Sequence, residues 1–273
     1  LERVEKLARA KDPRVVQDLW ETWNGLSRKN PLEGWHDLTQ LKEEAGTLFA
    51  LGYLDMRARA RVERLFQAGC EKLLRIVREL PQVPEDLEDL EKTLADTYFG
   101  NFSMFQSMPD HWGFKQLFPV MPIHRLEQEP TRRGIIADLT CDSDGKIGEF
   151  IDQHDVRKTL ELHALNGAPY YIAVFLVGAY QEILGDLHNL FGDTNAVHIR
   201  LTDAGHEVTH LVHGDTVTKV LNYVQFSASD LLATFRRKVG TAGSITRQEA
   251  NTFIAEYLAG LEGYTYLEGE AAR

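Results

Sequence analysis

The sequence predicts an α+β chain in which an antiparallel, Greek-key-like β-barrel domain is flanked by helical bundle segments. Three observations carry that expectation. Apolar residues recur at helical spacing up to about Tyr98. From Gly100 to Gly214 the pattern changes to short β-branched and aromatic runs broken by Gly, Pro and Asp. Beyond that stretch, helical spacing returns. The domain reading is a helical bundle over 1–98, a β domain over 99–215 and a helical domain over 216–273.

The elements follow in order. Leu19, Trp20 and Trp23 share one helical face before the stop signal Asn24-Gly25. Leu32–Leu80 is a long helical pattern closed by Pro81, read as one helix or as two broken near Gly52. Its apolar positions include Leu38, Ala45, Val62, Leu65, Phe66 and Leu73, which suits a hairpin or bundle. An acidic helix is expected over Glu85–Thr97, with Pro84 in its first turn.

Strands are expected at Phe102–Gln106, Gln116–His124, Gly134–Thr140, Tyr170–Val177, Ala196–Leu201 and Glu207–Val212. Pro119 and Pro122 push the second to an edge or into irregular backbone. Thr140–Gly148 and Gly178–Asn195 carry too much Gly, Asp and Asn for plain strands and read as loops and short helical turns around a site or interface. Tail helices are expected at Val217–Tyr223, Ala228–Val239 and Ser244–Leu258, where Thr246 and Glu249 have capping-box spacing.

Composition bounds the function. The chain has 273 residues, 43% of them hydrophobic and 26% charged, with a formal net charge of -11. That charge argues against a general binder of nucleic acid or anionic membrane, while leaving room for a local basic patch. Two cysteines make no disulfide framework, which points to a reducing, cytoplasmic setting. No run has the length and apolarity of a membrane span, and no signal peptide is read at the start.

Three motifs carry candidate chemistry. His206-Glu207-Val208-Thr209-His210 matches the zinc-hydrolase pattern H-E-x-x-H, which needs a helix. Here Asp203-Ala204-Gly205 reads as a turn and the following residues alternate as a strand, so the zinc hydrolase is the weaker alternative. Asp142-Ser143-Asp144-Gly145 resembles a calcium loop, but neither register works. Starting at Asp142 puts Ile147 where glycine is needed, and starting at Thr140 puts Ile151 where the final glutamate is needed. The segment is then an acidic turn, or a carboxylate pair beside Cys141 able to take a guanidinium or ammonium group. In Phe175–Glu182 a hydrophobic strand exits through Gly178, leaving Tyr180 at its end. Its phenol can donate to a phosphate or serve as a core or interface tyrosine. His188, in the polar loop that follows, reads as structural.

Taken together, Ala137–Ile147, Phe175–Glu182 and Gly185–Thr194 resemble the C-terminal part of the biosynthetic, PLP-dependent arginine decarboxylases. These belong to the fold type III, alanine-racemase-like group, with ornithine and diaminopimelate decarboxylases as relatives. The resemblance extends through His206–Tyr223 and the tail, and the first helical region looks like that family's helical insertion. It implies conversion of L-arginine to agmatine and CO2 in polyamine biosynthesis by a homo-oligomer. PLP would be held between the (β/α)8 barrel of one subunit and the β domain of the next. Mg2+ is admitted as a further cofactor.

Residue by residue, the resemblance gives Cys141 the place of the cysteine near the reacting face of the cofactor. Asp142 and Asp144 take the place of the acidic stretch that receives the guanidinium, with Asp142 ranked first. Tyr180 takes the place of the tyrosine on the PLP phosphate. The sequence departs from the complete family pattern in one large way. It contains no eight-fold strand–helix alternation for the barrel, and Lys146 matches no Schiff-base position. The expectation is half of a shared site, inactive without a barrel from a longer polypeptide or a separate partner. The alternative is a non-catalytic oligomerisation or regulatory module of the same fold.

Overall fold

A computed structural model describes residues 11–80, 87–152 and 155–268. The chain divides into two compact units. One takes the residues up to Thr97 together with Pro122–Ile135 and Asp152–Tyr171; the other takes Tyr98–Met121, Ile136–Ile151 and the chain from Ile172 onward.

The first unit begins with α1 (Arg14–Gly25), α2 (Pro31–Ala50) and α3 (Met56–Val77). Pro31 sits at the first position of α2, where its missing N–H is not needed. Gly52 has φ +79° and divides α2 from α3, so the long helical pattern is two helices. Asp55 caps α3, its Oδ1 accepting the Ala58 N–H at 2.7 Å. Val16, Leu19, Leu38, Leu65 and Leu73 are fully buried in the shared core. The close approach of α2 and α3 is set by Gly69, where a Cβ would stand 2.6 Å from Leu38 Cδ2.

The expected acidic helix is shorter than its sequence suggests. It is α4 (Glu88–Thr93), and Asp96–Phe99 forms strand β1 instead of helical turns. Pro84 and Glu85 lie outside the described residues.

The chain continues through α5 (Met104–Ser107), α6 (Pro109–Phe114), β2 (Val120–Pro122), β3 (Arg132–Ala137), β4 (Lys146–Ile147), β5 (Phe150–Ile151), β6 (Val156–Arg157), β7 (Leu160–Leu162) and β8 (Ile172–Val174). Next come α7 (Ala179–Ile183), β9 (Ala196–Thr202), β10 (Gly205–Val212), α8 (Val217–Tyr223), α9 (Ala228–Thr241) and α10 (Arg247–Leu261). The fold class is α+β.

The expected Greek-key-like barrel does not close among the described residues. β3 pairs with β1, β4 and β7, while β2 pairs with β8 and β9 with β10. The ladders are short: β3 meets β4 over Ile136↔Ile147 and Ala137↔Lys146, and β7 over three residue pairs. The expected strand at Phe102–Gln106 is also corrected, because it is the helical turn α5. Ser103 Oγ accepts the Gln106 N–H at 3.3 Å and so caps a helix start. Of Gln116–His124, only Val120–Pro122 is strand.

The hairpin β9–β10 turns through Asp203-Ala204 and Gly205, whose φ is +128°. Leu201 faces His206, Ile199 faces Val208 and Val197 faces Leu211, with a register shift between Val208 and His210. The tail helices fall where expected, and Thr246 and Glu249 form a complete capping box on α10.

Candidate functional site

Asp138 organises the second unit around the turn that follows β3. It is 2% exposed, and its charge is met by three donors. Oδ2 accepts the Met104 N–H at 2.8 Å, and Oδ1 accepts the Thr140 N–H at 2.8 Å and the Thr140 hydroxyl at 2.7 Å. Asp138 N–H in turn donates to the Gly145 carbonyl at 2.8 Å. A Cβ at Gly145 would collide with Asp138 Oδ1, so glycine is required where the turn closes over the carboxylate.

On this base stands the Cys141–Asp144 turn. Asp142 Oδ1 accepts the Asp144 N–H at 2.9 Å, an Asx turn that fixes one carboxylate oxygen and leaves the other available. Cys141, Asp142 and Asp144 are all exposed. Beside them is Asn189, at φ +57°, whose Nδ2 lies 3.5 Å from Cys141 Sγ.

The Gly178–Asn195 segment is held by the same support. His188 packs on Phe105 with ring centroids 4.4 Å apart, and the Asp186 N–H donates to the Phe105 carbonyl at 3.0 Å. Gln181 Oε1 accepts the Asp110 N–H at 3.1 Å, and Gln106 Nε2 donates to Asp193 Oδ1. α5 and α6 therefore join the Cys141 turn to the loop containing Asn189 and to α7. Tyr180 stands in the first turn of α7, is 75% exposed, and its hydroxyl makes no hydrogen bond among the described residues.

The far end of the loop is clamped by the chain's tail. The Tyr266 hydroxyl donates to the Gly192 carbonyl at 2.8 Å, and its ring stacks on Phe191 at 5.2 Å. The Asn195 N–H donates to the Tyr264 hydroxyl at 3.1 Å. Partial burial, followed by the neighbouring Asp215 and Glu182, holds the Asp193 carboxyl above its ordinary range, with Lys219 opposing. Burial also raises the Tyr266 phenol, which stays neutral and keeps its proton for Gly192.

The four residues singled out in the sequence thus fall in one unit. Cys141, Asp142 and Asp144 form one exposed turn, and Tyr180 lies on a separate element tied to that turn through α5 and α6. Asp138 and Phe105 were not singled out, and Gly145 and Asn189 were named only as parts of an acidic turn and a polar loop. The spacing Ser103-x-x-Gln106 is a helix-start signal that could have revealed α5.

His206 and His210 lie in strand β10, without the helix that an H-E-x-x-H zinc site requires. No group of three or more His, Cys, Asp or Glu side chains suited to a metal occurs among the described residues. No described helix is long and apolar enough to cross a membrane.

The two thiols differ sharply. Cys70 is buried in α3, and desolvation pushes its thiol up to about 12. Cys141 is exposed. Titration of the folded chain with a disulfide reagent is expected to label one thiol rapidly, and Cys141→Ser should abolish that phase. Fast labelling of two thiols would contradict the burial of Cys70.

Comparison with known proteins fits this architecture. The arginine decarboxylase helical bundle domain matches residues 9–91, and the arginine decarboxylase C-terminal helical extension matches residues 217–267. Both families are parts of one class of enzyme, and the site described above lies in the chain between them. The biosynthetic arginine decarboxylase of Thermosynechococcus vestitus is 53% identical over 95% of this chain and 41% of its own length. That of Nostoc sp. is 52% identical over 93% of this chain and 38% of its own length. The crystal structure of the biosynthetic arginine decarboxylase of Campylobacter jejuni superposes with a TM-score of 0.78 at 30% identity, covering 96% of this chain and 42% of that one.

The chain belongs to the biosynthetic arginine decarboxylase family, as its C-terminal portion. It spans about two fifths of the length of the curated relatives it matches. Neither the zinc hydrolase nor the non-catalytic module is favoured by these matches.

Proposed function

We propose that this chain supplies the guanidinium and cofactor-phosphate side of an arginine decarboxylase site. A barrel domain of the same or a neighbouring subunit completes the site. The observation that carries the proposal is the exposed Cys141–Asp144 turn, set by the buried Asp138 and flanked by the Asn189 loop. PLP, when bound, supplies the electron sink for loss of CO2. The residues present fit its phosphate end, since the Tyr180 phenol is exposed and uncommitted.

Each residue then has a task. Asp142 takes the substrate guanidinium in charge-assisted hydrogen bonds through the oxygen its Asx turn leaves open, with Asp144 as second carboxylate. Tyr180 donates its hydroxyl hydrogen bond to the cofactor phosphate. Cys141 Sγ holds the proton delivered to the α-carbon, and Asn189 Nδ2 orients that sulfur.

The reading extends to agmatine as product, polyamine biosynthesis as its use, a homo-oligomer as the assembly and the cytoplasm as its place. It assigns Mg2+ no residue of this chain. The division 1–98, 99–215 and 216–273 is also proposed, as stretches of chain whose helical parts match the two family domains.

In the complete decarboxylase containing this chain, Asp142→Asn is expected to raise the arginine KM about 100-fold with PLP occupancy retained. Asp144→Asn should raise it less. An unchanged KM in Asp142→Asn would refute the assignment.

A further inference from the structure

Leu176 has a left-handed backbone, φ +60°, in the segment that joins β8 to α7. That conformation is costly for a bulky side chain and suits glycine, asparagine or aspartate. The segment is pinned on both sides. The Phe175 N–H donates to the Pro119 carbonyl at 2.8 Å beside β2, and Gln181 Oε1 accepts the Asp110 N–H at 3.1 Å from α6. These anchors fix the path of the backbone, so the strained position persists. They do not call for leucine, because asparagine takes the same backbone more readily.

The leucine side chain gains little burial in return, being 84% exposed. The exposure continues onto α7. Tyr180, Ile183 and Leu184 lie at i, i+3 and i+4 along that helix and its C-cap, on one face, and all three are exposed. Apolar side chains gathered in this way around an uncommitted phenol mark a contact surface.

We infer that Leu176 is the apolar anchor by which this face docks on the barrel domain, seated so that the Tyr180 hydroxyl reaches the cofactor phosphate. The inference rests on the role of Tyr180 proposed above. Three observations choose the barrel as occupant. The face is continuous with Tyr180, whose proposed partner is a cofactor held by the barrel. This chain spans about two fifths of its relatives' length, so most of their length lies outside it. A few side chains are also too small a patch for a partner free in solution, which needs about 800 Å² on each side, and suffice for a domain already tethered nearby. Leu176 touches no reacting atom; it is a positioning residue that acts through Tyr180.

Two measurements test this. In the 273-residue chain, Leu176→Asn relieves the backbone at little loss of burial, so the thermal midpoint should rise by about 2–4 °C. In the complete decarboxylase the same variant loses the anchor. Its PLP dissociation constant should rise about 10-fold, with the arginine KM at saturating PLP unchanged. Leu176→Met keeps an apolar side chain and should keep the parent's PLP affinity. A lowered midpoint in Leu176→Asn would make Leu176 a structural residue and overturn the inference. Parent-like PLP affinity in Leu176→Asn, or an equal loss in Leu176→Met, would overturn it too. Tyr180→Phe, measured alongside, separates the anchor from the reading beneath it. Weakened PLP binding in Tyr180→Phe with none in Leu176→Asn sinks the anchor alone. Unchanged binding in Tyr180→Phe sinks the phosphate role and the anchor with it.

Discussion

Asp138→Ala is expected to destabilise the second unit by about 3–5 kcal/mol, measured by urea unfolding. The substitution removes a carboxylate that accepts from Met104 N–H, Thr140 N–H and the Thr140 hydroxyl. It leaves the buried Met104 amide and the half-buried Thr140 amide without this partner, and a buried orphan costs about 1–3 kcal/mol. The effect also reaches the proposed site, because the same carboxylate sets the start of α5 and the entry into the Cys141 turn. Thiol labelling of Cys141 and the unfolding midpoint are therefore expected to change together. Asp138→Asn keeps one acceptor and should lose less. A loss below about 1 kcal/mol in Asp138→Ala would mean that Asp138 does not pin the turn.

The second large effect is expected at the contact of α2 with α3. Leu38→Ala empties a fully buried position and should cost about 2–5 kcal/mol. Gly69→Val fails for the opposite reason. Its Cβ would stand 2.6 Å and 2.9 Å from the two Leu38 methyl carbons, an overpacking of about 3 kcal/mol. The two sites share one space, so their effects should not add. The double variant Leu38→Ala, Gly69→Val is expected to be more stable than the sum of the single losses predicts. Strict additivity in thermal unfolding would show that Gly69 is not what lets the helices approach.

How much was legible in the sequence follows the range of the forces involved. The long helices of the first unit read well because they bury apolar stripes: Leu19 and Trp23 on α1, and Leu65 and Leu73 on α3. The β9–β10 hairpin was legible from its β-branched residues and from Gly205 at its turn. Phe102–Gln106 misread as a strand because its aromatic content outweighed the cap at Ser103 and a long-range bond from Met104 to Asp138. Distances of that kind, across 34 residues of sequence, leave no periodic trace.

The site divides in the same way. Cys141, Asp142, Asp144 and Tyr180, the residues proposed for the site, were picked out from strings local in sequence. The residues that hold them in place, Asp138 and Phe105 above all, act through contacts remote in sequence. Asn189 was passed over because its loop showed only polarity, and its value lies in a left-handed backbone that aims its amide at Cys141.

The clamp from Tyr266 onto Gly192 joins residues 74 apart in the chain. A ribosome adds about 5–20 residues per second, so the loop is made about 4–15 s before the residue that locks it. Through that interval Asn189 already follows Cys141 in the nascent chain, yet the loop between them and Tyr264 has no tail to close on. The segment that carries Tyr264 and Tyr266 thus decides when the loop acquires its final shape, and a ribosome that stalls within α10 would leave it unclamped.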